Sequence, residues 1–215
     1  MGRAAQFRFE RDRNSFVLAR GVLRTLLGRY LHISPAGIRF EYRPKGKPAL
    51  ALPAGIDFNV SHSGGLAVFA FTAGCEIGVD VESIRPLPDL QSIADRFFCA
   101  GEAAELMSLA ADQREPAFYL CWTRKEAYIK ASGDGLSAPL DGFRVTLRPG
   151  QPARFVHLAN DTAQAWSLHD LALASGYAAA LAYRDAQRPV VVLPVADPAE
   201  LPGVQGLGGR SANLP

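Results

Sequence analysis

A helical stretch between two groups of short strand segments is the feature that most limits the fold. Strict alternation of strands and helices would predict a parallel doubly wound sheet, and this sequence does not alternate in that way. We therefore predict an α+β fold. The predicted strands span residues 38–42, then 58–61, 66–72 and 76–81, which we expect to form a meander, and finally 143–147, 154–158, 165–171 and 176–183.

Apolar residues recur at helical spacing in four segments. The first segment is rich in arginine and has Val17 and Leu23 on its apolar face. The last is followed by Gly133, a residue suited to a helix C-terminus. The four predicted helices span residues 14–30, 89–98, 101–111 and 115–131.

Length and composition fit one or two compact domains. The chain has 215 residues, of which 48% are apolar, and this is enough to bury a core. Its apolar runs are much shorter than the roughly 20 residues that cross a bilayer, so we expect a cytoplasmic protein with no membrane partner. The three cysteines have no paired spacing, and we expect three buried free thiols.

Two carboxylates occur at strand spacing in Ile77-Gly78-Val79-Asp80-Val81-Glu82. Because side chains alternate along a strand, Asp80 and Glu82 should project from the same face, where they could share one hard cation. Acids at a strand end that simply face water are the alternative explanation.

A second charged pattern lies on a predicted helix, in Trp122-Thr123-Arg124-Lys125-Glu126-Ala127-Tyr128-Ile129-Lys130. Glu126 and Lys130 are four residues apart and therefore share a helix face. Two interpretations stay open. One is a surface salt bridge worth a few tenths of a kcal/mol, and the other is a third oxygen ligand for Mg²⁺ beside a cation for phosphate.

The segment Asn59-Val60-Ser61-His62-Ser63-Gly64-Gly65 places hydroxyl, imidazole and backbone donors before a tight turn that a phosphate group could approach. A structural histidine at a strand end is the simpler alternative. All four lysines, among nineteen arginines, lie in two short stretches, Lys45 with Lys47 and Lys125 with Lys130. Such placement indicates sites that need a compact ammonium, although chance clustering explains it as well.

Together these patterns resemble the surfactin-synthetase-activating type of 4′-phosphopantetheinyl transferase, with Gly46-Lys47-Pro48 preceding the three segments just described. The resemblance implies two similar α+β subdomains that bind coenzyme A between them. We place these subdomains at residues 1–82 and 83–185, followed by a Pro- and Gly-rich tail at 186–215. Members of the family usually have a longer N-terminal segment, so we expect the first subdomain to be shortened.

The resemblance also implies roles for single residues. Asp80, Glu82 and Glu126 match magnesium ligands, and Lys130 matches a lysine that contacts phosphate. Glu126 is our candidate for the base that accepts the hydroxyl proton of the serine to be modified. The residues that it implies for coenzyme A binding are Arg13, Lys47, Ser61, His62 and Lys130.

The implied reaction transfers the 4′-phosphopantetheine of coenzyme A to a serine of an apo acyl or peptidyl carrier protein and releases adenosine 3′,5′-bisphosphate. Such carriers serve fatty acid, polyketide or nonribosomal peptide synthesis. We expect a monomer with no nucleic-acid partner, whose basic residues between 11 and 29, with Arg114 and Arg124, attract an acidic carrier. A metal-dependent nuclease or phosphodiesterase, and a non-catalytic binding module, are the alternatives that a transfer assay would exclude.

Overall fold

The computed structural model describes residues 10–52, 54–135, 138–159 and 161–195, without the side chains of residues 11 and 12. It confirms the α+β class. The predicted tail is described only as far as residue 195. The helices are α1 (Glu10–Leu31), α2 (Leu90–Phe97), α3 (Ala100–Met107) and α4 (Ala111–Ser132), and the strands are β1 (Phe40–Tyr42), β2 (Pro48–Leu50), β3 (Ile56–Ser63), β4 (Leu66–Ala73), β5 (Ile77–Ser83), β6 (Phe143–Val145), β7 (Phe155–Leu158), β8 (Ser167–Asp170) and β9 (Tyr177–Tyr183).

The strands form four small sheets, β1-β2, β3-β4, β5-β9-β8 and β6-β7. β3 and β4 are an antiparallel hairpin, as predicted. β5, however, pairs with β9 and not with β4, so the predicted three-strand meander is wrong at its third strand. The reason is that residue alternation identifies a strand but carries no information on which distant strand lies beside it.

Helix α4 packs on one face of the β5-β9-β8 sheet. Ala178, Ala180 and Ala182 of β9 belong to the same buried cluster as Ala127 of α4, and their small side chains let the helix approach closely. Gly78 of β5 lies directly below the helix. A Cβ atom there would be 2.2 Å from the Ala127 carbonyl oxygen, so only glycine fits.

One helix end lies where we predicted it, and one apolar face does not. Gly133 does follow the last helix, with a left-handed φ of 75°, and its N–H binds the carbonyl of Ile129. Among the described side chains of α1, Leu23 and Leu27 are the buried apolar ones, whereas Val17, which we predicted on the apolar face, is 54% exposed. The buried stripe of α1 is therefore confined to its C-terminal half.

The chain divides into two compact units, of which the second contains Tyr42–Ala49 and Ile56–Val192. The first is built around α1. This division does not coincide with the predicted subdomains 1–82 and 83–185, because β5 and β9, one from each predicted subdomain, belong to the same sheet.

The described residues bear on the membrane and cysteine predictions. No helix among them is both long enough and apolar enough to span a bilayer. The cysteines are free, as predicted, but only Cys121 is buried. Cys75 and Cys99 are partly exposed, so the prediction of three buried thiols is wrong for these two.

Candidate active site

The candidate site lies in the second unit, where α4 packs against β5. Asp80 and Glu82 project from alternate positions of β5 on the face that Gly78 shares, as the spacing predicts. Glu126 and Lys130 come from α4. Asp80 is 3% exposed and Glu126 is 9% exposed, whereas Glu82 and Lys130 are partly exposed.

Lys130 pairs with the acid on the strand and not with the acid on its own helix. Its Nζ lies 2.5 Å from Asp80 Oδ1 and also donates to Ser61 Oγ at 3.1 Å. No ion pair joins Glu126 to Lys130 in the described part of the chain. The interpretation of these two residues as a surface salt bridge is therefore wrong, because tertiary packing offers Lys130 a buried partner.

Serine hydroxyls of β3 hold the two acids of β5 in place. Ser61 Oγ donates to Asp80 Oδ1 at 3.0 Å, and Ser63 Oγ donates to Glu82 Oε2 at 2.8 Å. These two serines, together with Asn59 of β3, also accept hydrogen bonds from the β5 backbone. The three bonds run from the N–H groups of Val79, Val81 and Ser83 to Asn59 Oδ1, Ser61 Oγ and Ser63 Oγ, at 3.0, 3.3 and 3.1 Å.

The three hydrogen bonds from the β5 backbone to side chains of β3 form a side-chain ladder. The sequence analysis did not predict that Asn59 and Ser63 take part in it. We expected these residues to shape a turn near phosphate, whereas they connect two strands. The available signal was the polar alternation at residues 59, 61 and 63, which matches the spacing of backbone donors on a neighbouring strand.

Burial raises the pKa of all three carboxyl groups. In Glu126 the negative charges of Asp80 and Glu82 raise the pKa further, while Lys130 lowers it. In Asp80 the charge of Lys130 and the hydrogen bonds from Lys130 and Ser61 partly offset the effect of burial. The negative charges of the acids thus repel one another, and the single positive charge of Lys130 does not neutralise all three.

Two observations indicate that this cluster suits a divalent cation. Asp80 Oδ2 is buried and has no hydrogen-bond partner, and within the described residues no donor binds the Glu126 carboxylate. Carboxylate oxygens of this kind are ligands for Mg²⁺. As the side chains stand, no three His, Cys, Asp or Glu residues of the described chain are gathered closely enough to hold a metal ion.

The residues predicted to bind coenzyme A have different surroundings. Lys47 Nζ donates to the carbonyls of Ile77 and Ala131 at 2.9 and 2.8 Å, and burial, with the charge of Arg43, lowers its pKa to about 8. His62 is exposed and alternates with Ser61 along β3, so it projects from the opposite face of the strand.

Ser61 and Arg13 complete this set. The Ser61 hydroxyl has one donor and two acceptor positions, and Asp80, Lys130 and the Val81 N–H use all of them. Arg13 belongs to the first unit, where it is exposed and lies 3.5 Å from Glu10.

Two cations that precede Glu126 on α4 are buried in the second unit. Lys125 lies 2.7 Å from Glu102, and both side chains are fully buried. Arg124 is also 0% exposed, so the prediction that it belongs to an exposed basic face is wrong. Its guanidinium binds Asp170 of β8, because α4 directs residue 124 toward the edge of the sheet.

Comparison with known proteins identifies the family of the chain. The family model of the 4′-phosphopantetheinyl transferase superfamily matches residues 76–182, and that of the N-terminal region of 4′-phosphopantetheinyl transferase matches residues 2–74. The 4′-phosphopantetheinyl transferase HetI of Nostoc sp. is 42% identical over 174 residues, which cover 80% of this chain and 71% of HetI. This chain belongs to the 4′-phosphopantetheinyl transferase superfamily.

Other members of the superfamily share less of their length with this chain. The 4′-phosphopantetheinyl transferase Sfp of Bacillus subtilis is 34% identical over 142 residues, 66% of this chain and 62% of Sfp. The crystal structure of Thermotoga maritima holo-[acyl-carrier-protein] synthase has a TM-score of 0.40 and 20% identity, over 52% of this chain and 64% of that one. The chain thus spans about seven tenths of the length of HetI and about three fifths of the length of Sfp.

Proposed function

We propose that the protein transfers the 4′-phosphopantetheine of coenzyme A to a serine of an apo acyl or peptidyl carrier protein. The observation that carries the proposal is the pair of buried acids Asp80 and Glu126, with Lys130 bound to Asp80, in a member of a superfamily of such transferases. An under-neutralised acidic cluster suits a reaction in which a cation and a pyrophosphate bind together.

Asp80, Glu82 and Glu126 would hold Mg²⁺ in this proposal. Within the described residues Asp80 Oδ2 and the Glu126 carboxylate accept no hydrogen bond, so both would be available to the ion. When bound, Mg²⁺ would neutralise charge on the pyrophosphate and polarise the phosphorus that is attacked.

Glu126 would accept the proton of the carrier serine. Burial and the neighbouring acids raise its pKa, which makes the carboxylate a stronger base than an exposed glutamate. The proton passes from the serine hydroxyl to a Glu126 oxygen as the serine oxygen bonds to phosphorus, and adenosine 3′,5′-bisphosphate leaves. Lys130 would stabilise negative charge on the phosphate oxygens.

The other residues that we predicted to contact coenzyme A stay predictions, and the structure limits what each could do. Lys47 keeps one of its three N–H groups for a ligand, since two are used by carbonyls. His62 is exposed and available, and Arg13 is our candidate near the 3′-phosphate. Ser61, whose hydroxyl is fully used inside the protein, would act by holding Asp80 and Lys130 in place.

The test is the intact mass of apo carrier proteins after incubation with the protein, coenzyme A and Mg²⁺. A gain of one phosphopantetheine is expected. Unchanged mass, on carriers that an established transferase does load, would contradict the proposal. We further propose that the protein works in the cytoplasm as a monomer, where its three free thiols would stay reduced.

A further inference from the structure

We propose that the ion pair between the buried Arg124 and the partly exposed Asp170 positions the active site from the far edge of the sheet. By fixing α4 over β8, it holds Glu126 and Lys130 in the register at which they meet Asp80 on β5. The catalytic consequence rests on the proposed function, whereas the positioning of α4 can be measured without it.

The sheet register places the two acids in one row. Asp80 of β5 lies opposite Ala180 of β9, and Ala180 lies opposite Asp170 of β8. Residues of one row project from the same face of a sheet, which here is the face that α4 covers. Lys130 binds Asp80 at one end of the row, and Arg124 binds Asp170 at the other.

The two ion pairs join α4 to both outer strands of the sheet. Lys130 binds β5 through Asp80, and Arg124, six residues earlier on the helix, binds β8 through Asp170. A helix that is held at two separate points resists both sliding and rotation over the sheet.

Arg124 makes an extensive set of contacts for a buried cation. Nε and Nη2 bind the two oxygens of Asp170 at 2.8 and 2.6 Å, as a fork that matches the carboxylate. Nη1 donates to the Thr146 carbonyl at 2.6 Å, and Nη2 donates to the Gln151 carbonyl at 3.2 Å. Sliding or rotation of α4 would break several of these bonds at once.

Removing the charges of both Arg124 and Asp170 distinguishes an effect on the position of α4 from an effect on the stability of the fold. Removal of Asp170 alone would leave the buried Arg124 charge uncompensated, so both charges are removed together. The informative variant is Arg124→Met/Asp170→Asn, in which the partly exposed position 170 keeps a polar side chain. Arg124→Lys keeps the charge but not the planar fork, and Arg148→Met, in the Arg148–Glu105 ion pair, is the control.

Three readouts are measured on the full chain. They are the melting temperature, steady-state kinetics with apo carrier and coenzyme A, and hydrogen exchange of peptides covering residues 125–132. We expect the double variant to stay folded and the hydrogen exchange of residues 125–132 to accelerate. Its kcat should fall about 10- to 100-fold, as for a misplacement on the order of 1 Å, and its KM for coenzyme A should change much less. Arg124→Lys should recover part of kcat, and Arg148→Met should match the wild type.

Wild-type kcat and wild-type exchange in the double variant would overturn the inference. If the double variant does not fold, Arg124→Lys decides: unchanged kcat and exchange in that variant overturn the inference, and a reduced kcat with faster exchange supports it. If the wild type itself transfers nothing, the proposed function fails, and hydrogen exchange still decides whether Arg124 positions α4.

Discussion

The Lys130 ammonium lies 2.5 Å from Asp80 Oδ1, although Glu126 precedes Lys130 by one turn of the same helix. The lysine thus neutralises one oxygen of one acid, while Asp80 Oδ2 has no hydrogen-bond partner in the described part of the chain. A phosphate ligand would compete with Asp80 for Lys130, and a cation would compete with Lys130 for Asp80. This pair is therefore the contact that we expect ligands to change first.

Glu126→Gln should preserve or raise stability and weaken its dependence on pH. Burial raises the pKa of Glu126, so the folded protein retains a proton that the unfolded chain has already released at the same pH. The group's contribution to stability is therefore present at low pH and falls as pH rises from its ordinary value of 4.5 through the raised value. Thermal melting of both proteins from pH 4 to pH 7 tests this, and a clearly lower melting temperature for the variant at pH 7 would contradict it.

Gly78→Ala should remove the close contact between β5 and α4. The new Cβ would lie 2.2 Å from the Ala127 carbonyl oxygen and 2.3 Å from the Ala131 nitrogen, both of them backbone atoms. We expect a loss of about 1–3 kcal/mol or more in the free energy of unfolding, together with loss of transfer, by urea denaturation and kinetics.

Gly21→Ala is the matched control for this variant. Gly21 lies within α1, and a Cβ there meets nothing within 4 Å. Alanine favours the helix by about 0.5–1 kcal/mol over glycine, so the control should be slightly stabilised. If both variants behave alike, close packing at Gly78 is not what the fold requires.

Ser61→Ala should reduce stability and kcat more than it changes KM for coenzyme A. It removes the partner of the Val81 N–H and a hydrogen bond to Asp80, and an unsatisfied buried group of this kind costs about 1–3 kcal/mol. Ser63→Ala, which is less buried, is a comparison at the next position of the ladder. Steady-state kinetics with varied coenzyme A is the measurement, and a variant affected only in KM would instead make Ser61 a ligand contact.

Lys47→Met separates ligand binding from packing. Because burial lowers the pKa of Lys47 to about 8 while an unfolded lysine keeps the value of 10.5, the unfolded chain binds the extra proton between these pH values. The contribution of Lys47 to stability should rise with pH from about 8 to 10.5, and this slope should disappear in the variant.

The same variant tests the coenzyme A prediction for Lys47. If its free N–H contacts the 3′-phosphate, affinity for coenzyme A should fall more than affinity for dephospho-coenzyme A. His62→Ala is measured in parallel, since His62 is exposed and its loss should not affect stability. Titration calorimetry with both ligands decides, and equal losses for the two would remove the 3′-phosphate role.

The sequence predicts features that depend on neighbouring residues better than features that depend on residues far apart along the chain. The shared face of Asp80 and Glu82 follows from strand geometry, and the position of Gly133 follows from helix termination, so both were predictable. The pairing of β5 with β9 and the contact of Lys130 with Asp80 join distant segments, and no local spacing encodes them.

Arg124 illustrates the limit for charged residues. An arginine on a helix is usually exposed, and the sequence favours that interpretation. Its burial depends on Asp170, Thr146 and Gln151, which come from three later segments. Only the assembled unit shows that this cation is structural and that the predicted basic face does not include it.

The most direct test of the account compares wild type and Glu126→Gln in loading an apo carrier, followed by intact mass with Mg²⁺ or with excess EDTA. Glutamine keeps the shape of the side chain but neither binds a cation well nor accepts the serine proton. We predict complete loading by the wild type with Mg²⁺, none with EDTA, and a loss of about 10²-fold or more in the folded variant. Loading by Glu126→Gln at the wild-type rate would contradict the account.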